Sequence, residues 1–321
     1  MNVNLPLASV ALICYNQEKT IAEALESLVS QDYANFELII SDDCSTDSTV
    51  DVINNFIKNI QSDKVKIKLN VNNFNLGIGG NLAKAVSLCS GEFIIPASGD
   101  DISAPIRIST VMNTWLKSNK QMLYINTDVT DISLTGEIIK EKKVDNFNNY
   151  RSTQDWLKKP QFFVGMGCWS SDFYKKFSPP INVRAEDQIM SFRAILLGCG
   201  HTIHQSTLYH RLGGVTDKKP KSFLEKIKAL RKEAQYSYQD YSQLWIDAIS
   251  VGKEKEVESF LKSKIREAQF IQKLFDEHSK PNILLEFVLH PEVKITKKIR
   301  YISFLLMPSL HKLIYRLKKL D

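Results

Sequence analysis

The sequence predicts an α/β protein on a mainly parallel sheet, followed by a separate helical part. Three observations carry that expectation. Short apolar runs at 7–14, 36–41, 64–71 and 92–96 alternate with stretches of helical periodicity, and this order needs crossover connections that make neighbouring strands parallel. Each run gives way to a polar loop at its C-terminal end, where open parallel sheets bind ligands. After Pro220 the apolar runs stop and long charged segments begin.

The apolar start, Leu5 to Tyr15, lacks a basic leader and a small-residue cleavage site and runs into Asn16-Gln17-Glu18-Lys19. It reads as a first buried strand. Residues 18–30 form a helix with Ile21, Leu25, Leu28 and Val29 on one face. The second strand ends in Asp42-Asp43, the third leads into Asn72 to Asn81, and the fourth, through Phe93-Ile94-Ile95-Pro96, ends in Ser98-Gly99-Asp100-Asp101. A helix at 105–118, a strand at 121–127 and a hairpin through Leu134-Thr135-Gly136 follow. Residues 160–171, with Gly165, Gly167 and Trp169, read as a loop and strand near a binding surface. Arg184-Ala185-Glu186-Asp187 opens a helix to about Leu197, and strand-like 201–210 leads to Arg211-Leu212-Gly213-Gly214. Helices at 221–250 and 253–277 precede a basic tail.

Hydrophobic residues make up 43% and charged residues 24% of the 321, which argues against a disordered chain and a polytopic membrane protein. That length suits one large domain with an appendage, or two domains. The net charge is +6, and residues 291–321 hold eight Lys/Arg against two acids, so the whole excess sits there. Cys14, Cys44, Cys89, Cys168 and Cys199 are widely spaced, odd in number and without a CxxC pair. That pattern speaks against a zinc ribbon or a disulfide framework and for a reducing compartment.

Asp100 and Asp101 are the densest chemical signal. A strand that ends in adjacent acids can hold a divalent cation, and the cation a diphosphate. The competing reading is an acidic turn that caps the helix after Pro105.

The series Ser9 to Asn16, Leu38 to Asp47, Asn75-Leu76-Gly77 with Asn81, Ser98-Gly99-Asp100-Asp101 and Glu186-Asp187 resembles glycosyltransferase family 2 over roughly residues 5–215. The resemblance implies a GT-A fold, a nucleotide-sugar donor with UDP favoured, Mn²⁺ or Mg²⁺, and inversion at the anomeric centre. It divides residues 1–217 into a nucleotide half, about 1–102, and an acceptor half, about 103–217, with 218–321 as the helical extension. It assigns Tyr15, Asn16, Glu18, Asp42 and Asp43 to the base and ribose, Asn81, Ser98 and Gly99 to the donor, and Asp100 and Asp101 to the metal. His210 is an optional further ligand, with a surface or packed strand histidine as the alternative; His201 and His204 belong to the sheet. Asp187 is the expected base, supported by Glu186, and Gly167 and Trp169 meet the acceptor sugar.

Two departures stand out. Ser98 replaces the first acid of the family's Asp-x-Asp-Asp, so metal affinity without donor should be weak. Gly80 stands where an arginine often precedes the asparagine, so any diphosphate contact there falls to backbone N–H groups or Lys84. Gly77-Ile78-Gly79-Gly80 has neither GxGxxG spacing nor a Walker lysine, and a helix N-terminus is the equal alternative. Asn16, Asp42, Ser45 and Asp47 carry a capping alternative, which is favoured for Asp47.

The tail, 294–319, flanks the apolar centre Tyr301 to Leu310 with cations. That centre is about half of the roughly 20 residues a spanning helix needs. It suits an in-plane helix on an anionic leaflet, and a domain-closing or homodimer helix is the alternative. The expectations are a peripheral, cytoplasmic enzyme of surface-polysaccharide synthesis with a lipid-diphosphate-linked saccharide acceptor and no nucleic-acid partner. A nucleotidyltransferase and a non-catalytic nucleotide-sugar sensor are the competing functions.

Overall fold

The computed structural model describes residues 5–60, 65–161, 165–213, 222–277 and 281–309. Its contacts divide the chain into two compact units, residues 1–217 and 218–321. The first opens with β1 (Ala8–Cys14), α1 (Ile21–Val29), β2 (Phe36–Asp42), α2 (Thr49–Asn59), β3 (Lys66–Val71), α3 (Gly77–Ser87) and β4 (Phe93–Ser98). There follow β5 (Ile102–Ser103), α4 (Arg107–Lys117), β6 (Tyr124–Ile132), β7 (Ile138–Lys142), α5 (Thr153–Lys158), β8 (Cys168–Ser170), α6 (Ser171–Lys175), α7 (Glu186–Leu197) and β9 (Gly200–Arg211).

The strands form one sheet in the order β3-β2-β1-β4-β8-β6-β9-β5, with β7 on β6. β3, β2, β1 and β4 are all parallel, and Cys14 pairs with Asp42 in register while Ile13 pairs with Ser98. The chain moves outward from β1 to β2 and β3, then returns to place β4 on the other side of β1. The carboxyl ends of β1 and β4 therefore flank a topological switch point, where such sheets open a crevice. β8 runs antiparallel to β4 and β6, and β9 runs parallel to β6.

β1 and β2 are apolar on both faces because helices cover both, and Val10, Leu12, Leu38 and Ile40 meet Ile21, Leu25 and Ile53 in the core. β6 runs five residues beyond the predicted end at 127, and all nine of its residues are buried. Its polar positions hide it from a search for apolar runs. They are accommodated by cross-strand bonds: Thr127 Oγ1 lies 2.6 Å from Thr207 Oγ1 and Thr130 Oγ1 2.7 Å from Ser206 Oγ. The five cysteines are unpaired.

The second unit holds α8 (Phe223–Ser250), α9 (Glu254–Glu277), α10 (Pro281–Leu289) and α11 (Ile295–Leu306). Leu230, Ile271, Leu274, Phe287, Tyr301 and Phe304 form its core. α10 has no counterpart in the sequence reading, because Ile283, Leu284, Leu285, Phe287, Val288 and Leu289 leave no polar face to give it a period. Tyr301 and Phe304 correct a second expectation: they point into the core, so the apolar centre of the tail is in part an inward face. The rest of the tail, 310–321, lies outside the described residues.

Candidate active site

Ser98-Gly99-Asp100-Asp101 turns tightly against the end of β1. The Gly99 N–H donates to Ile13 O at 3.0 Å, and the Thr20 hydroxyl donates to Gly99 O at 2.9 Å. A Cβ at Gly99 would sit 2.4 Å from Gln17 Oε1 and 2.9 Å from Cys14 Cβ, so only glycine permits the approach. Ser98 Oγ donates to Asp100 Oδ1 at 2.5 Å. Asp101 is buried, its Oδ1 accepts from the Arg211 N–H at 2.9 Å, and its carboxyl is pushed up to about 6 by burial and then by Asp100.

Arg211 is the support that sequence reasoning missed. Its Nε donates to Asp100 O at 2.9 Å, and its guanidinium reaches Leu134 O at 2.7 Å and the carboxylate of Glu23. One buried cation thus ties the acidic turn to α1 and to the β6–β7 hairpin. Its only sequence signal is a basic residue at the end of a strand.

A cavity of about 200 Å³ opens beside this turn, lined by Asp101, Gly167, Trp169, Glu186, Asp187 and His210 together with apolar walls from β1, β4 and α7. Burial raises the Asp187 carboxyl above its ordinary value, against the bond that Gln188 Nε2 donates to Asp187 Oδ2 at 3.1 Å. Glycines of α3 help to seat α7. A Cβ at Gly79 would lie 2.3 Å from Pro180 O, so the segment leading to Asp187 packs directly on the α3 backbone. Gly77 to Gly80 are the first turn of that helix, the helix N-terminus that the sequence offered as an alternative. Lys84 is exposed near the helix's other end.

Trp169 is 3% exposed and stacks on Tyr174 at 6.2 Å, so it walls the cavity and has no open face for a sugar. Gly167 is a contact position, since a Cβ there would meet Tyr124 Oη at 2.1 Å and Asn126 Oδ1 at 2.6 Å. The buried Asn126 carboxamide and Trp169 Nε1 have no hydrogen-bond partner among the described residues. Trp169 lines the cavity, whereas Asn126 lies behind its wall and is fully buried; an unmet buried polar group costs about 1–3 kcal/mol.

His210 is half-exposed, and its Nδ1 lies 3.3 Å from Asp131 Oδ1 across β6–β9. His204 pairs likewise with Asp128 at 3.2 Å, and His201 also lies on β9. Among the described residues no cluster of three or more His, Cys, Asp or Glu is arranged to hold a metal. The donor set at the turn is two carboxylates, Asp100 and Asp101. That fits Mg²⁺ or Mn²⁺, which take one or two protein carboxylates and complete their shell with diphosphate oxygens and water.

The loops after β1 and β2 use their polar groups on each other. The Asn16 N–H donates to Ser45 Oγ at 2.9 Å, and Asn16 Oδ1 accepts from the Thr46 N–H at 2.8 Å. Asn16 and Cys44 both adopt left-handed backbone, φ 52° and 61°, which suits asparagine and strains cysteine. The Glu18 N–H donates to Asp47 Oδ2 at 3.2 Å while Glu18 Oε2 accepts from the Ser48 N–H at 3.0 Å. Glu18 therefore clamps the loop through one carboxylate oxygen. Asp47 takes the expected place at the start of α2, accepting from the Thr49 N–H at 3.0 Å. Burial would raise its carboxyl, but the Thr49 and Glu18 bonds hold it below the usual range.

Asp42 is fully buried, accepting from the Ser45 N–H at 2.8 Å and the Ser45 hydroxyl at 2.5 Å, and it is corrected from base ligand to loop support. Asp43, 3% exposed, accepts from the Leu76 N–H at 2.8 Å and the Gly77 N–H at 2.9 Å. Its Oδ2 takes only the Gly77 bond, which leaves acceptor capacity. Asn81, expected at the donor, is buried and brackets Ser41, its Nδ2 donating to Ser41 O at 2.9 Å and its Oδ1 accepting from the Ser41 hydroxyl at 2.7 Å. Tyr15 is half-buried at the mouth of these loops.

The sequence model of glycosyl transferase family 2 matches residues 9–174. The chain is 38% identical over 103 residues to a putative glycosyltransferase, EpsE, of Bacillus subtilis, covering 32% of this chain and 36% of that protein. It is 30% identical over 139 residues to UDP-Glc:alpha-D-GlcNAc-diphosphoundecaprenol beta-1,3-glucosyltransferase WfgD of Escherichia coli, covering 43% and 53%. The aligned regions thus span about a third to a half of these relatives. Among solved structures, S. aureus TarS 1-349 in complex with UDP superimposes with a TM-score of 0.52 at 18% identity, over 92% of this chain and 78% of that one. That likeness establishes the GT-A-like fold. With the family model matching just over half of its length and the acidic turn and Glu186-Asp187 around one cavity, the chain belongs to glycosyl transferase family 2.

Proposed function

We propose that this protein is an inverting glycosyltransferase that moves a hexose from a uridine diphosphate sugar to a lipid-diphosphate-linked saccharide at the cytoplasmic leaflet, in surface-polysaccharide synthesis. The observation that carries the reading is that one cavity gathers Asp101 from the first half of the unit and Glu186 and Asp187 from the second. An acceptor hydroxyl needs a base on the face of the anomeric carbon opposite the leaving diphosphate, and a single carboxylate there gives one displacement and hence inversion. Asp187 supplies it, and the raised pKa that burial gives its carboxyl strengthens it as a base. Glu186 positions the acceptor.

The diphosphate belongs at Asp100 and Asp101, where bound Mn²⁺ or Mg²⁺ would neutralise the charge that develops on the leaving group. Arg211 keeps the turn in place for it. Asp43 and Tyr15 supply the base contacts, because Asp43 retains a lone pair. Gly167 and Trp169, on the cavity wall, bound the place of the acceptor sugar. The name of WfgD supports a lipid-diphosphate acceptor and a UDP donor.

The test uses the purified chain, a panel of nucleotide sugars and a GlcNAc-diphospholipid, with and without Mn²⁺. Transfer that needs the metal and yields the opposite anomer is expected. Donor binding without transfer or hydrolysis under any pairing would favour the sensor instead.

A further inference from the structure

The helical unit shows one face that its own core leaves uncovered. Leu285, Val288 and Leu289 on α10 and Ile295, Ile299 and Leu306 on α11 are between 47% and 69% exposed. The α10 positions follow i, i+3, i+4, and those on α11 recur at i, i+4, i+11, so each helix shows an aliphatic stripe on its exposed side. The opposite sides of the same helices are occupied, with Ile283 and Phe287 on α10 and Tyr301 and Phe304 on α11 all in the core. The two stripes are linked, since Lys298 Nζ on α11 donates to Val288 O at the end of α10 at 2.7 Å.

Solitary apolar residues on a surface need no explanation, but six within two consecutive helices mark an interaction face. Charge decides between occupants. Lys294 and Arg300 are exposed on the same segment, and the described residues 291–309 hold four Lys/Arg against one acid. A second copy would bring two cationic faces together. Nucleic acid would call for exposed aromatic rings to stack on bases, and this stripe is aliphatic. An anionic bilayer meets both demands, taking aliphatic side chains at the headgroup boundary and attracting cations beside them.

We infer that the α10–α11 hairpin lies in the plane of an anionic membrane surface with Leu285, Val288, Leu289, Ile295, Ile299 and Leu306 inserted. This rests on the proposed lipid-linked acceptor and adds to it the face that meets the lipid. No described helix is long and apolar enough to cross a bilayer.

The full chain is mixed with phosphatidylcholine vesicles, with and without phosphatidylglycerol, and partition is measured by flotation. Wild type should float with the anionic vesicles and be released as salt rises. The pair Leu289→Ser and Ile299→Ser should lower partition about tenfold or more. Lys294→Gln with Arg300→Gln should weaken binding to anionic vesicles alone. Both variants should keep the wild-type melting temperature and solution-phase donor hydrolysis, a readout that fails separately if the proposed activity is wrong. The inference is overturned if wild type stays unbound or the Leu289/Ile299 variant partitions like wild type. It is equally overturned if that variant merely turns a dimer into a monomer with partition unchanged.

Discussion

Two groups of carboxylates stand at the same edge of the sheet and do opposite work. Asp42, at the end of β2, and Asp47, before α2, accept from the backbone N–H groups of Ser45 and Thr49. Asp101, Glu186 and Asp187 line the cavity, and burial raises the carboxyls of Asp101 and Asp187. An acid that accepts N–H bonds is stabilised as an anion and builds a loop. A buried acid with few such bonds is primed to bind a cation or take up a proton.

The sharpest way to break that contrast is Asp187→Asn, which keeps size and removes basicity. It should lower kcat about 10²–10⁴-fold, the usual share of general base catalysis, with donor affinity unchanged. Transfer kinetics and UDP titration measure the two; activity within a few-fold of wild type would move the base to Glu186. Next in size is Asp100→Ala, expected to abolish the Mn²⁺-dependent part of UDP binding while the fold stays intact. Calorimetry that finds the same UDP affinity in Mn²⁺ would remove Asp100 from the metal site.

Asp42→Ala tests the other group. It leaves the Ser45 N–H and hydroxyl without their acceptor, at about 1–3 kcal/mol, which for a unit of this size lowers Tm by roughly 2–4 °C per kcal/mol. Donor affinity of the folded variant should not change. A variant that melts like wild type but loses UDP would return Asp42 to the base site.

The smallest effect concerns pH. Asp187 acts as a carboxylate, so activity falls as pH drops through its folded pKa, and because burial raises that pKa the acid limb should lie above the ordinary carboxylate range. Stability runs the other way: the neutral acid suits the buried site, so this contribution is present at low pH and is lost as pH rises through the folded pKa. Asp101, Glu186 and His210 share the cavity, so the limb is assigned by its loss in residual activity of Asp187→Asn. Persistence of the same limb there would assign it to another of these groups.

The sequence by itself determined the alternation of strands and helices in the first unit, and with it the edge at which function would sit. Apolar runs bounded by polar loops are local facts, and strand period and crossover handedness convert them into a sheet with little ambiguity. The order of motifs from Ser9 to Asp187 also carried the family. The tertiary structure alone decided which acids face a ligand. Asp42 and Asp101 each follow a strand, and nothing local separates them. The difference lies in what surrounds them: Asp42 is enclosed by its own loop, whereas Asp101 meets the Arg211 N–H from β9 and a cavity completed by α7. The same holds for Tyr301 and Leu306, both apolar on α11, one buried and one exposed. Burial and hydrogen-bond supply depend on partners far away in the chain, and a sequence read along its length does not show which of them arrive.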